Sequence, residues 1–178
     1  MRAVVLHEHG DIENLRYHEN YADPQCDEGQ VIISVGATLL NYHDVLTTKG
    51  MPGIKVPLPI VIGLDISGEI TEIGAGVEDW SVGDRVLVNP LDPVTPEKGL
   101  MGEMLDGGTA ELCAVDATRL IKIPDGCSFE QAAALPVAYG TAHRMMITNG
   151  GMKGGEKVLI LGASGGVGSC CVLLAKMM

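Results

Sequence analysis

The chain is poor in aromatic residues: one Trp, one Phe and four Tyr, 3% of 178 positions. Its interior must therefore be built from Val, Ile, Leu, Ala and Met. It is short of cations too, with 12 Lys and Arg against 23 Asp and Glu and a formal net charge of -11. No local Lys/Arg cluster offsets that balance, which argues against nucleic acid and against anionic membrane surfaces, since both need basic patches. None of the five cysteines, Cys26, Cys113, Cys127, Cys170 and Cys171, forms a C-x-x-C pair. Neighbouring Cys170 and Cys171, on an expected helix, cannot easily bond to each other. A reducing, cytoplasmic compartment is the simplest expectation. The opening "MRAVVLHEHG" lacks the apolar region of a signal peptide, and no run is long enough for a membrane-spanning helix. What is present is 46% hydrophobic and 20% charged residues, the composition of a globular protein. The length suits one domain with a sizeable core, or one domain and part of another.

Residues 1–125 carry β signals. "RAVVLHE", "GQVIISVGATLLN", "DISGEITEIG", "GDRVLVN" and "TAELCAVDATRLIKIP" read as short strands. Glycine and proline separate them, and no convincing long helix appears. Such a pattern predicts a small antiparallel barrel or sandwich. Residues 91–108 have no period and read as an inserted loop or lobe. From residue 126 the character changes. Ser128 with Gln131 three positions on is a capping box that predicts a helix start. Pro136 is expected to break that helix, and a second one should close at Asn149 and Gly150. The ending "VLILGASGGVGSCCVLLAKMM" predicts a buried strand, a glycine turn and a helix. On that helix Val167, Cys171, Leu174 and Met178 form one apolar stripe.

In "GASGGVG", Ala163, Gly165 and Gly168 fall on the three positions of the G-x-G-x-x-G fingerprint, with Ala in the first and Gly162 just before it. A tight turn needs small residues, and the middle glycine lets backbone N–H groups approach a pyrophosphate. The last glycine allows helix and strand to pack closely, and the helix N-terminus favours negative charge. A plain strand-to-helix turn is the alternative for the bare pattern. One strand cannot make a parallel sheet, so the chain is expected to be the N-terminal part of something longer.

Four stretches in this order, "GATLLNYHDVLTTKG", "GLDISGEITEIGAGVEDWSVGDRV", "GGTAELCAVDATRLIKIPDGCSFEQAAALP" and "VLILGASGGVG", resemble the N-terminal half of a medium-chain dehydrogenase/reductase. The resemblance implies a β-rich GroES-like catalytic barrel over residues 1–125. Residues 126–178 would then hold linker helices and the first βα unit of an α/β Rossmann domain that binds NAD(P)H. In the zinc-dependent branch a Cys, a His–Glu pair and usually a second Cys stand where this chain has Asn41, Leu64 with Asp65, and Ala133. Leu64 and Ala133 cannot ligate zinc, and Asn41 is a poor substitute for a thiolate. The lobe also lacks the four structural-zinc cysteines of that branch. The resemblance is therefore to the zinc-free, quinone-oxidoreductase-like branch, and no metal ligand is expected.

His43 beside Asp44 invites reading as a ligand or proton relay, but a lone His beside a helix-capping Asp reads first as structural. His7, His9 and His18 have no partners at ligand spacing and read as surface residues, and Asp65 as a group bonding to backbone. Met101, Met104, Met145 and Met146 read as packing residues. The resemblance implies a substrate cleft beside the barrel, with Asn41, Tyr42 and Asp44 as catalytic-site residues. Tyr42 alone there carries a phenolic donor for a carbonyl oxygen, though an aromatic packing wall is an equal reading. Val137 and Thr141 would approach the nicotinamide, and Gly162, Ala163, Ser164, Gly165, Gly166, Val167 and Gly168 would receive the dinucleotide. The cofactor expected is NADPH, with NADH as the alternative. The expected activity is hydride transfer to a quinone or α,β-unsaturated carbonyl compound, a small-molecule substrate, by a full-length protein that could form a homodimer. Residues 1–178 alone should not turn over. The competing readings are a zinc alcohol dehydrogenase with atypical ligands and a GroES-like interaction module without catalysis.

Overall fold

The computed structural model describes all residues 1–178, and the chain divides into two compact units, Met1–Ala133 and Ala134–Met178. The first unit contains eight strands: β1 (Ala3–Leu6), β2 (Leu15–His18), β3 (Gln30–Leu39), β4 (Ile60–Val61), β5 (Asp65–Ile73), β6 (Arg85–Val88), β7 (Leu112–Asp116) and β8 (Leu120–Lys122). β2-β1-β4 form a three-stranded sheet and β7-β3-β5-β6-β8 a five-stranded one, with every pairing antiparallel. The expected barrel is not closed. β7 and β8 are joined only by a 3-10 turn, Ala117–Arg119, yet lie on opposite edges of their sheet. A connection that short forces the sheet to curl, but no ladder links its two edges, and a barrel requires that ladder. The curl is helped by register shifts in β3 at Ile32/Ile33 and Val35/Ala37. Gly68 of β5 sits so close under β3 that a Cβ there would lie 2.1 Å from the Ser34 carbonyl oxygen.

The core is aliphatic, as the shortage of aromatics requires. Val31, Ile33, Ile66, Ile70, Val86, Val88 and Val115 are buried together with Met101, Cys113 and Leu120. The 91–108 lobe is irregular as expected but firmly anchored. Asp92 is buried and accepts from the Val94 and Thr95 N–H groups at 2.8 and 3.1 Å and from the Thr95 and Thr118 hydroxyls at 3.0 and 2.8 Å. Arg119 lies beneath it, donating to the carbonyls of Pro90 at 2.7 Å and Gly99 at 3.1 Å.

A short helix, α1 (Tyr42–Lys49), follows β3, with Asp44 capping its start. The expected capping box at α2 (Phe129–Ala133) forms: the Ser128 N–H donates to Gln131 Oε1 at 2.9 Å and the Gln131 N–H to Ser128 Oγ at 3.2 Å. The rings of His7 and His18 meet at 2.9 Å between Nε2 atoms on the small sheet's edge, and His9 Nδ1 lies 3.0 Å from the Thr47 carbonyl.

The helix that opens at Ser128, α2, ends at Ala133, three residues before Pro136. In the second unit Pro136 lies at the start of a π-helical stretch, Leu135–Tyr139, that continues into α3 (Gly140–His143) and a second π stretch, Arg144–Asn149. The strand expected at 158–161 is absent. Leu159 and Leu161 are 85% exposed, because no neighbouring strand is present to supply ladder hydrogen bonds. The helix after the glycine turn, α4 (Gly166–Met177), forms without it. Val167, Cys171 and Leu174 of the expected stripe pack inward with Cys170 around Ala142, whereas Met178 lies past the helix end and is half exposed. No helix is long and apolar enough to cross a membrane.

Candidate functional site

The site grows from the junction of β3 and α1. Asn41 keeps an extended backbone and occupies the N-cap of α1. The Asp44 carboxylate reaches back to accept its N–H at 2.6 Å, half of a capping box. The Asn41 side chain is left to face β5, where its Nδ2 donates to Asp65 Oδ2 at 2.9 Å. Asp65 lies at the buried start of β5. Burial pushes the Asp44 carboxyl above the usual carboxylate range, against the opposing pull of the Asn41 and Gly63 N–H groups and of neighbouring His43.

His43 turns from that cluster towards the lobe. Its Nε2 lies 2.6 Å from Oε2 of Glu103, a buried carboxylate. Sequence reasoning passed over Glu103, since the aperiodic lobe gives no signal of where its side chains point. Tyr42, the first residue of α1, is 77% exposed. The structure therefore brings Asn41, Asp44 and Asp65 together, with His43 and Glu103 alongside, and leaves Tyr42 outward. Beside the same helix a cavity of about 450 Å³ opens between α1 and a 3-10 turn, Ile12–Asn14.

The places where zinc ligands would stand do not assemble a donor set. Leu64 and Ala133 are buried apolar residues, Asn41 is engaged with Asp65, and no group of three His, Cys, Asp or Glu side chains could hold a metal ion. Cys113 is buried in the core, and burial pushes its thiol up to about 12, so it carries no accessible thiolate.

In the second unit Gly162 adopts φ +72°, which suits glycine, and Ser169 Oγ donates back to the Ala163 carbonyl at 3.2 Å. Ser164 lies in the exposed turn and Gly165 is the N-cap of α4. A Cβ on Gly168 would lie 2.2 Å from the Gly162 carbonyl oxygen, whereas one on Gly166 would meet nothing within 4 Å. The helix thus packs tightly on its turn while Gly166 opens on free space. The N–H groups of Gly166, Val167 and Gly168 begin α4, where backbone donors have no intrahelical acceptor. These features fit the pyrophosphate of a dinucleotide. Val137 lies half-buried in the first π stretch and Thr141 is exposed on α3, whose Ala142 packs against Cys170 and Cys171 of α4.

Residues 27–125, more than half of the chain, match the alcohol dehydrogenase GroES-like domain. A chloroplastic NADPH-dependent alkenal/one oxidoreductase of Arabidopsis thaliana is 35% identical over 99% of this chain and 44% of its own length. The quinone oxidoreductase of Lama guanicoe is 34% identical over 99% of this chain and 49% of its length. Among solved structures, an NAD-dependent alcohol dehydrogenase superposes with a TM-score of 0.90 at 33% identity, covering 99% of this chain and 55% of that one. The chain spans about half the length of the curated relatives it matches. It belongs to the medium-chain dehydrogenase/reductase superfamily of oxidoreductases and carries that superfamily's GroES-like domain.

Proposed function

We propose that the whole protein is an NADPH-dependent, zinc-independent reductase of quinones or α,β-unsaturated carbonyl compounds, to which this chain contributes the GroES-like domain and the opening of the nucleotide site. The observation that carries the reading is the Asn41–Asp65 hydrogen bond, which pairs two side chains at positions where the zinc-dependent branch has its ligands. Without a metal, the acceptor must be polarised by hydrogen bonds. The names of the alkenal/one and quinone oxidoreductase relatives favour the same acceptors.

The residues take separate roles. Bound at the glycine turn, the dinucleotide supplies the hydride. The N–H groups of Gly166, Val167 and Gly168 hold its pyrophosphate, with Gly162, Ala163, Ser164 and Gly165 shaping the turn. Val137 and Thr141 serve the nicotinamide end. Asn41 orients the acceptor, Tyr42 donates its phenolic proton to the acceptor's carbonyl oxygen, and Asp44 holds the end of α1 that carries both. A positioned donor of this kind contributes on the order of a hundredfold or more in rate.

The test is made on the full-length protein from its native source. NADPH consumption is measured with an enone and with a quinone, beside the metal content of the same sample. Turnover of either acceptor that survives chelation, without stoichiometric zinc, is the expected result. Stoichiometric zinc with activity lost on chelation overturns it.

A further inference from the structure

His7 and His18 take no part in the acceptor site or the glycine turn. His7 follows the last residue of β1 and His18 closes β2, the edge strand of its sheet. The β1–β2 ladder pairs Ala3 with His18 and Leu6 with Leu15, so the two histidines start from opposite ends of the hairpin. Their side chains nonetheless meet, with 2.9 Å between the Nε2 atoms and 5.1 Å between ring centroids. His7 is exposed and His18 half-buried, its ring backed by that of Tyr21 at 5.5 Å. A neutral imidazole carries one N–H, so one Nε2 donates here and the other accepts. When both rings carry their proton on Nδ1, two nitrogen lone pairs share the same small space with no donor between them. A metal ion suits that space. Bonds of about 2.0–2.1 Å place two imidazole nitrogens about 2.9 Å apart at a right angle and about 3.3 Å apart at a tetrahedral one. The observed separation already lies at the first of these values.

We propose that His7 Nε2 and His18 Nε2 together bind a divalent transition-metal ion of the zinc, nickel or copper kind, with water in its remaining positions. Donor chemistry selects the class, because imidazole nitrogen suits these ions whereas magnesium and calcium take oxygen. The surrounding charge favours any cation. Between residues 7 and 19 four carboxylates, Glu8, Asp11, Glu13 and Glu19, stand against one basic side chain, Arg16, in a chain of net charge -11. The ion needs only small movements. Each proton passes to Nδ1 through solvent, and the rings turn to face a point beside the line between them, which exposed His7 is free to do. With two protein ligands the ion is exchangeable, unlike a four-ligand structural zinc. It ties the end of β1 to the edge strand β2. The site shares no residue with the acceptor site or the glycine turn, so it stands or falls separately from the reductase reading, and metal held here leaves turnover resistant to chelation.

The experiment titrates Zn²⁺, which is diamagnetic, into the whole chain labelled with ¹⁵N at histidine, with no nicotinamide present. Work at about pH 7.5 keeps an ordinary imidazole neutral. Imidazole nitrogen resonances report each ring by itself, so zinc captured by a cysteine thiolate does not imitate the result. The expected outcome is that His7 and His18 saturate together, with one dissociation constant, and both take the tautomer protonated at Nδ1. Exposed His143, a lone imidazole in the same sample, should bind at least about tenfold more weakly, because it has no second ligand held beside it. His7→Gln, at an exposed position just outside β1, should weaken zinc binding at His18 by a similar factor, and His18→Gln should do the same at His7. His7 and His18 saturating at different zinc concentrations, or no more tightly than His143, overturns the proposal. So does affinity at His18 that stays within about twofold in His7→Gln, since the two rings then act singly.

Discussion

Substituting Asn for Asp92 removes one negative charge from a fully buried position and leaves the shape of the side chain intact. Asp92 and Arg119 both have side chains at 0% exposure, and Arg119 Nε lies 3.9 Å from the carboxylate. Burial alone would push the Asp92 carboxyl up. The N–H groups of Val94 and Thr95 and the hydroxyls of Thr95 and Thr118 more than offset that, holding it at about 2 against an ordinary 3.8. A carboxyl with its folded pKa depressed contributes stability that is fully present above the unfolded value. That contribution is lost as pH falls towards the folded value. The shift corresponds to about 2 kcal/mol. Removing the charge also leaves Asp116, 3.9 Å from Arg119 Nε, as the one carboxylate beside that guanidinium, so Asp92→Asn should cost about 3 kcal/mol at neutral pH. The assay is urea unfolding followed by the fluorescence of Trp80, the single tryptophan, which packs on the main core. At neutral pH the variant's midpoint should fall by about 1 M or more. The two proteins should converge as pH drops from about 4 to about 2, where the wild-type carboxyl also becomes neutral. A neutral-pH difference below about 0.5 kcal/mol, or one that does not change with pH, refutes the electrostatic account of how the lobe is anchored.

The glycines of the turn should separate packing from binding. Gly168→Ala places a Cβ 2.2 Å from the Gly162 carbonyl oxygen and should lower the melting temperature, whereas Gly166→Ala meets no atom within 4 Å and should leave it within about a degree. In the full-length protein the Gly166 change should nevertheless weaken NADPH binding, measured by fluorescence titration. Cys113, buried and with its thiol pushed up to about 12, should resist a thiol reagent that labels half-buried Cys26 and Cys127, with mass spectrometry reporting the sites. Loss of the Glu103 side chain in Glu103→Ala leaves half-buried His43 without its partner at 2.6 Å and should cost about 1 kcal/mol in urea unfolding, while Glu103→Gln retains a hydrogen bond and should cost less.

Neighbouring residues were enough to specify the local features. Ser128 and Gln131 are three apart, and the box they form needs nothing beyond one helical turn. The glycine turn and α4 follow from the same short-range logic, as does the inward stripe of Val167, Cys171 and Leu174. Composition determined that the core would be aliphatic, and the order of four motifs carried the superfamily. Tertiary structure decided what depends on a distant partner. Asn41 meets Asp65 across 24 positions and His43 meets Glu103 across 60, and no periodicity records either pairing. The helix α1 is short and held at its start by Asp44, itself buried by the rest of the unit. Whether the five-stranded sheet closes depends on its two edges meeting, which strand patterns do not encode, and here they stay unpaired. Residues 158–161 have the composition of a strand, but a strand exists only in its ladder, and without a neighbour to accept and donate hydrogen bonds those residues remain irregular.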